Sequence, residues 1–227
     1  SDSIRMIRSC VKDTLLVGNK ATEQTFRMLA SQYSIINLST HGFWGGSGIP
    51  QGTDIYPCSS DETLSQNILA LAGANVNLED ISFNTKTLDG LLSARELSEM
   101  NLSNVGLAVI SACQTGLGYI TADGVYGIQR GLKNAGVDCM IVSLWDVDDH
   151  ATSLLMSSFH KKMKQGMSVH EAFTNARCDL MQMELQETEI KKHSFNPVTL
   201  SYSKKKVGES YNQPQYFNAF IVIDAIE

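Results

Sequence analysis

Two side chains able to act as nucleophile and base stand in equivalent places: His41 follows the apolar, β-branched stretch 34–39, and Cys113 follows the apolar stretch 105–112. Both stretches read as buried strands, and open parallel sheets place their reactive groups beyond the carboxyl ends of the strands. A thiol and an imidazole at one sheet edge form a Cys/His dyad candidate. The imidazole takes the thiol proton, the thiolate attacks an acyl carbon, and the imidazolium then protonates the leaving group. Gly42 leaves room for a backbone donor, so the N–H groups of Gly42 and Cys113 are the candidate oxyanion hole. Taken singly, His41 reads as a loop histidine and Cys113 as a half-buried core thiol. Two such residues, each after a buried strand and each beside glycine or a short polar turn, point to a site instead.

A second group follows the apolar stretch 139–144. Asp146 and Asp148 stand just past that strand, on the edge expected to carry His41 and Cys113, and are candidates for binding a basic substrate side chain. The competing reading is helix capping and dipole complementarity at the next helix start, which fits Asp149 better than Asp146. Asp123 reads as a helix cap and Trp145 as core or cleft wall. His150, His160, His170 and His193 have no partner pattern, and Cys10, Cys58, Cys139 and Cys178 read as structural. Lys204-Lys205-Lys206 reads as a solvated loop.

The elements that must hold these residues alternate. A short strand at 15–17 ends at Gly18, and Thr22 caps a helix carrying Phe26, Leu29 and Ala30. The strand 34–39 delivers Thr40-His41-Gly42, and 42–62 reads as a long loop, a feature that is more often functional than not in compact domains. Residues 67–72 form another apolar run, and Ser93-Ala94-Arg95-Glu96 has capping-box spacing. After the strand 105–112 and a loop over 114–122, Asp123 opens a helix through Val125, Ile128, Leu132 and Ala135, stopped by Gly136. The strand 139–144 leads to a helix through Leu154, Leu155, Phe159 and Met163 up to Gly166. Ser168-Val169-His170-Glu171 caps a last helix toward Glu189, 193–215 reads as exposed loop, and 217–224 as a closing strand. Strands alternating with helices predict an α/β fold with a largely parallel sheet.

Composition narrows the function classes. At 227 residues with 43% hydrophobic and 19% charged residues, the chain is long enough for a real core. Its mean hydropathy of -0.10 is ordinary for a globular protein. A net charge of -6 gives no electrostatic footprint for nucleic acid or an anionic membrane, so neither is an expected partner. No apolar run approaches the roughly 18 residues of a membrane span, and the first residues do not read as a signal peptide. Five widely spaced cysteines without a CxxC fit neither a disulfide framework nor a zinc site, and they suggest a reducing, cytoplasmic compartment. No metal or cofactor is expected.

Several blocks carry a resemblance. Leu38-Ser39-Thr40-His41-Gly42, Ser93-Ala94-Arg95-Glu96-Leu97 and Val109-Ile110-Ser111-Ala112-Cys113-Gln114-Thr115-Gly116-Leu117-Gly118 resemble the CHAT family of caspase-like proteases. So do Gly124-Val125-Tyr126-Gly127-Ile128-Gln129-Arg130, Ser143-Leu144-Trp145-Asp146-Val147-Asp148-Asp149 and Tyr216-Phe217-Asn218-Ala219-Phe220-Ile221-Val222-Ile223. The blocks run in the family's order from about Leu15 to Ile223. The resemblance implies one caspase-like domain over 1–227, a three-layer α/β sandwich with a mostly parallel sheet flanked by helices. It also implies the C-terminal part of a longer protein with an upstream repeat or sensor region. It implies cleavage of a protein or peptide substrate with Cys113 as nucleophile, His41 as base and acid, and Gly42 beside the Cys113 N–H at the oxyanion. A regulatory domain or activating protein is the implied partner. Separases, which the acidic stretch resembles, cut after a basic residue. Gln114 departs from a glutamate common in the family, and the glycine-rich insert 43–52 has no assigned role. Two alternatives stand beside the protease: a catalytically silent caspase-like interaction module, and a Cys/His acyl-transfer enzyme acting on a non-peptide bond.

Overall fold

Strands buried on both faces make the centre of the main sheet of the computed structural model. The sheet orders β1 (Ile35–Ser39), β5 (Leu107–Ser111), β8 (Cys139–Ser143) and β9 (Phe220–Asp224), with β1, β5 and β8 parallel and β9 antiparallel. The structure describes residues 13–44, 64–74, 88–112, 119–121, 124–145, 147–183 and 211–224, without side-chain detail at 43, 44, 119–121 and 124–126. The chain divides into two compact units, Ser1–Val147 with Ala219–Glu227, and Asp148–Asn218.

In the first unit, register stacks Ile36, Ala108, Met140 and Ile223 in one row, and Leu38, Ile110, Val142 and Ile221 in the next. That face shares a single core with Phe26 of α1 (Glu23–Leu29), Leu97 of α2 (Ala94–Ser98), and Ile128 and Leu132 of α3 (Ile128–Asn134). On the opposite face Leu107, Val109 and Ile141 are also fully buried, so both sides of β5 and β8 are out of water, as a three-layer architecture requires. Each such aliphatic side chain contributes on the order of 1.5–3 kcal/mol through burial. The result is an α/β fold with a mostly parallel sheet flanked by helices, as expected.

A smaller antiparallel sheet runs β2 (His41–Trp44), β3 (Asn67–Ala70), β4 (Leu91–Ser93). It is tied to α1 by an ionic cluster of two buried glutamates and the half-buried Arg27. Arg27 donates from Nε to Glu23 at 2.7 Å and from Nη2 to Glu96 at 2.9 Å, while the second Glu23 oxygen accepts from Gly90 N at 3.2 Å. Glu96 also closes the predicted capping box with Ser93, and burial raises its pKa against those hydrogen bonds. Gly90 has φ +83, and a Cβ there would lie 2.5 Å from Ala74 N, so glycine is required.

The second unit contains α4 (Asp149–Lys164), α5 (Val169–Gln182) and the short α6 (Pro214–Phe217). Phe159 and Phe173 meet edge-on at 5.9 Å, and Asp179 accepts from Lys162 at 2.9 Å and Ser158 at 2.5 Å, joining α4 to α5. These bonds to Lys162 and Ser158 lower the Asp179 pKa.

Several expectations need correction. Residues 15–17 are not paired as a strand, and Leu15 and Val17 are exposed. Among the described residues β1 pairs with β5 alone and stands at the edge of its sheet, and only its Ile36 is buried. The loop expected from Gly42 begins inside β2. Part of the loop expected over 114–122 is a strand, β6 (Tyr119–Thr121), paired with β7 (Gly124–Tyr126), which absorbs Val125. The helix therefore starts at Ile128 with Gly127, not Asp123, as N-cap. α5 ends at Gln182, where Met183 turns extended, and Phe217 belongs to α6 rather than the closing strand.

Candidate active site

Parallel pairing brings the carboxyl ends of β1, β5 and β8 to one edge of the sheet. Ser39 stands opposite Ser111, the last pair of the β1–β5 ladder. The ladder continues one step further, because Thr40 N donates to Ser111 O at 3.1 Å. The Thr40 hydroxyl turns the other way and donates to Ala70 O of β3. Ala70 is also the residue paired with His41, so Thr40 joins the two sheets at the position immediately before the candidate base.

His41 opens β2 and its side chain is exposed, as a base that must reach substrate requires. Gly42 follows it in β2, opposite Leu69. Behind these residues the path is anchored through β3 and β4: Leu71 N donates to Gly90 O at 2.7 Å, and Gly90 N to the buried Glu23 carboxylate.

On the nucleophile side, Ser111 and Ala112 are buried at the end of β5. The Ser143 hydroxyl, at the end of β8 and with no exposed surface, donates to Ala112 O. Successive carbonyls are thus held by different partners, Ser111 O at the end of β5 by Thr40 just past β1, and Ala112 O just past β5 by Ser143 of β8. Cys113, the next residue, lies outside the described residues, as does Asp146.

The acidic stretch is otherwise partly described. Trp145, expected in the core or a cleft wall, is 36% exposed, and Leu144 N donates to Ala219 O at 2.8 Å. Asp148 is the N-cap of α4, its carboxylate accepting from Ala151 N at 2.9 Å, and Asp149 occupies the first turn. Asp148 thus supplies the cap and Asp149 a first-turn charge, so the reading of helix capping and dipole complementarity fits both. Of the other thiols, Cys139 is buried in β8 and burial, with an Asp224 hydrogen bond, pushes its pKa up to about 12, whereas Cys178 is exposed. Among the described residues no group of three or more His, Cys, Asp or Glu is placed to hold a metal ion, and no helix is long and apolar enough to cross a membrane.

Sequence reasoning missed Thr40 and Ser143. Ser143 is a hydroxyl closing an otherwise apolar, fully buried strand, and a buried hydroxyl needs a partner, which was the available signal; Thr40, half-buried just past β1, carried none.

Comparison with known proteins adds to this geometry. The CHAT domain family matches the chain over residues 1–224. Tetratricopeptide repeat protein 28 of Mus musculus is 27% identical over 169 residues, or 71% of this chain, and Tetratricopeptide repeat protein 28 of Homo sapiens matches to the same extent. The chain spans only about 7% of the length of these relatives.

Proposed function

The chain belongs to the CHAT domain family, and on that premise we propose that it is a cysteine endopeptidase working through His41 and Cys113. His41 removes the Cys113 thiol proton, and the sulfur attacks the carbonyl carbon of a peptide bond. The carbonyl π pair moves to oxygen, where the N–H groups of Gly42 and Cys113 receive it. Collapse expels the amine, which takes the proton from His41, and water then hydrolyses the thioester with His41 again as base.

The observation that carries this reading is the Thr40–Ser111 bond. It sets the residue before His41 against the chain two residues before Cys113, at the edge where parallel sheets do their chemistry. Selectivity for Arg or Lys before the cut rests, in this reading, on Asp146, since the Asp148 carboxylate serves α4 as its cap. The substrate is a protein, and an upstream region or partner controls the loops around the dyad.

A second reading, a catalytically silent interaction module, is favoured by one finding: the relatives that match are named as repeat proteins and are far longer than this chain. Repeat arrays present extended binding surfaces. An electrophilic peptide probe separates the two. A protease labels at Cys113, loses that label in Cys113→Ala, and leaves Cys139 unmodified, because reactivity follows thiolate character and access. Equal labelling of Cys113 and Cys139 in the folded protein would contradict the proposal.

A further inference from the structure

The two compact units differ in charge. Asp148–Asn218 carries nine of the chain's 18 Lys and Arg but only eight of its 24 Asp and Glu, so it is slightly cationic within a chain of net charge -6. Part of that excess is gathered on one face of α4. Ser157, His160, Lys161, Lys164 and the C-cap Gln165 follow one another at helical spacing and line one concavity. All but His160 are exposed, and each of the five side chains offers an N–H or O–H. Neither Lys161 nor Lys164 pairs with a carboxylate among the described residues. Asp179, which α5 brings to this helix, is already bonded to Lys162 and Ser158 and acts on Lys161 only at longer range. Lysines in a last helical turn complement the helix dipole, which accounts for their sign but leaves both ammonium groups without an ion pair.

The face from Ser157 to Gln165 is about 12 Å long at the helical rise per residue. An extended segment of about four residues covers that length and turns alternate side chains the same way, about 7 Å apart. Lys161 and Lys164 are neighbours on the helix surface, about 5–6 Å apart at Cβ, and their flexible stems span the difference. We propose that this face of α4 is a docking surface for an extended acidic segment of a partner protein, with carboxylates at alternate positions. The surface is independent of the endopeptidase reading, since neither His41 nor Cys113 takes part in it. The two ammonium groups hold two carboxylates, and Ser157 and Gln165, at the ends, donate to the main chain between them. Burial and the Lys164 charge lower the pKa of His160, which therefore donates as a neutral imidazole and adds no charge at neutral pH. Among the described residues the concavity has no Phe, Tyr or Trp on which the bases of a single strand would stack, and no apolar side chain to enter a bilayer. Carboxylates on a protein chain are the anions that fit.

The test is fluorescence anisotropy on the full chain with a fluorescein-labelled octapeptide of alternating Glu and Ser, beside the same peptide with Gln for Glu. Wild type is expected to bind the acidic peptide at least about tenfold more tightly than the neutral one, and to lose that advantage as NaCl is raised. Lys161→Gln with Lys164→Gln should weaken binding about tenfold, the worth of two exposed ion pairs. Lys161→Arg with Lys164→Arg keeps both charges and should bind within about twofold of wild type. Lys20→Gln with Lys133→Gln removes the same charge from exposed positions of the other unit and should also stay within about twofold. Acidic and neutral peptides bound equally, or a Lys161/Lys164 glutamine pair that binds like wild type, would overturn the proposal. So would an equal loss in the Lys20/Lys133 pair, which would make the attraction a property of overall charge. A labelled thymidine pentanucleotide, with four phosphates against the peptide's four carboxylates, is the last arm. Tighter binding of the oligonucleotide than of the peptide would replace the acidic protein segment by nucleic acid.

Discussion

Thr40 donates twice, its amide to Ser111 of β5 and its hydroxyl to Ala70 of β3, and so ties down the backbone on both sides of the junction before His41. Valine has the same shape without the hydroxyl. Thr40→Val is therefore expected to leave Ala70 O short of one donor and to cost about 1 kcal/mol of stability, measured by urea unfolding. It should also lower kcat for peptide cleavage with little change in KM, because the orientation of the base is disturbed and the substrate contacts are not. Thr40→Ser should recover both. Unfolding curves for Thr40→Val that superimpose on wild type would show that the bond between the sheets does not steady this junction. Burial makes the opposite case at Cys139: a thiol whose pKa is raised to about 12 is a poor nucleophile, so the chain's buried cysteine in β8 is not a rival for the role given to Cys113.

Among the elements, α3 lies against α2 so closely that Gly131 meets the backbone of Ala94, where an added Cβ would lie 2.3 Å from the Ala94 carbonyl oxygen. Gly131→Ala must push the helices apart and should cost about 1–3 kcal/mol in urea unfolding, although alanine is the better helix former. A variant as stable as wild type would mean that α3 slides without cost. What is readable in the sequence follows from the range of the interactions. Caps are local, and Thr22, Ser93 and Ser168 each lie three residues from the amide they bind. The continuous apolar stretches at β5 and β8 are equally plain, since both faces are buried. The short antiparallel pairings are not. β4 has three residues, β6 and β7 three each, and their partners, not their own pattern, make them strands. The edge position of β1 is hidden for the same reason. At the site, the residue types at 41 and 113 are legible, while Thr40 and Ser143 emerge only once β3 and β5 are seen to receive their bonds.

At the scale of the whole molecule, the CHAT domain match covers both compact units, and the parallel core places three strand ends, those of β1, β5 and β8, on one edge. Each end has its own part in the proposed chemistry. In the sequence His41 and Gly42 follow β1, Cys113 follows β5, and Asp146 follows β8. An acidic chain of net charge -6 suits a basic substrate side chain, which a carboxylate holds by charge-assisted bonds. The most direct measurement is digestion of a peptide library by wild type, Cys113→Ala, His41→Ala and Asp146→Ala, with cut sites read by mass spectrometry. The account predicts cleavage by wild type after Arg or Lys and a loss of at least about a hundredfold in both dyad variants, with the double variant no worse than either single one. It predicts that Asp146→Ala keeps its fold and loses the basic preference. Cuts after apolar or acidic residues would contradict the selectivity alone, whereas cleavage by Cys113→Ala at the wild-type rate, or a wild type that cuts nothing, would contradict the central claim.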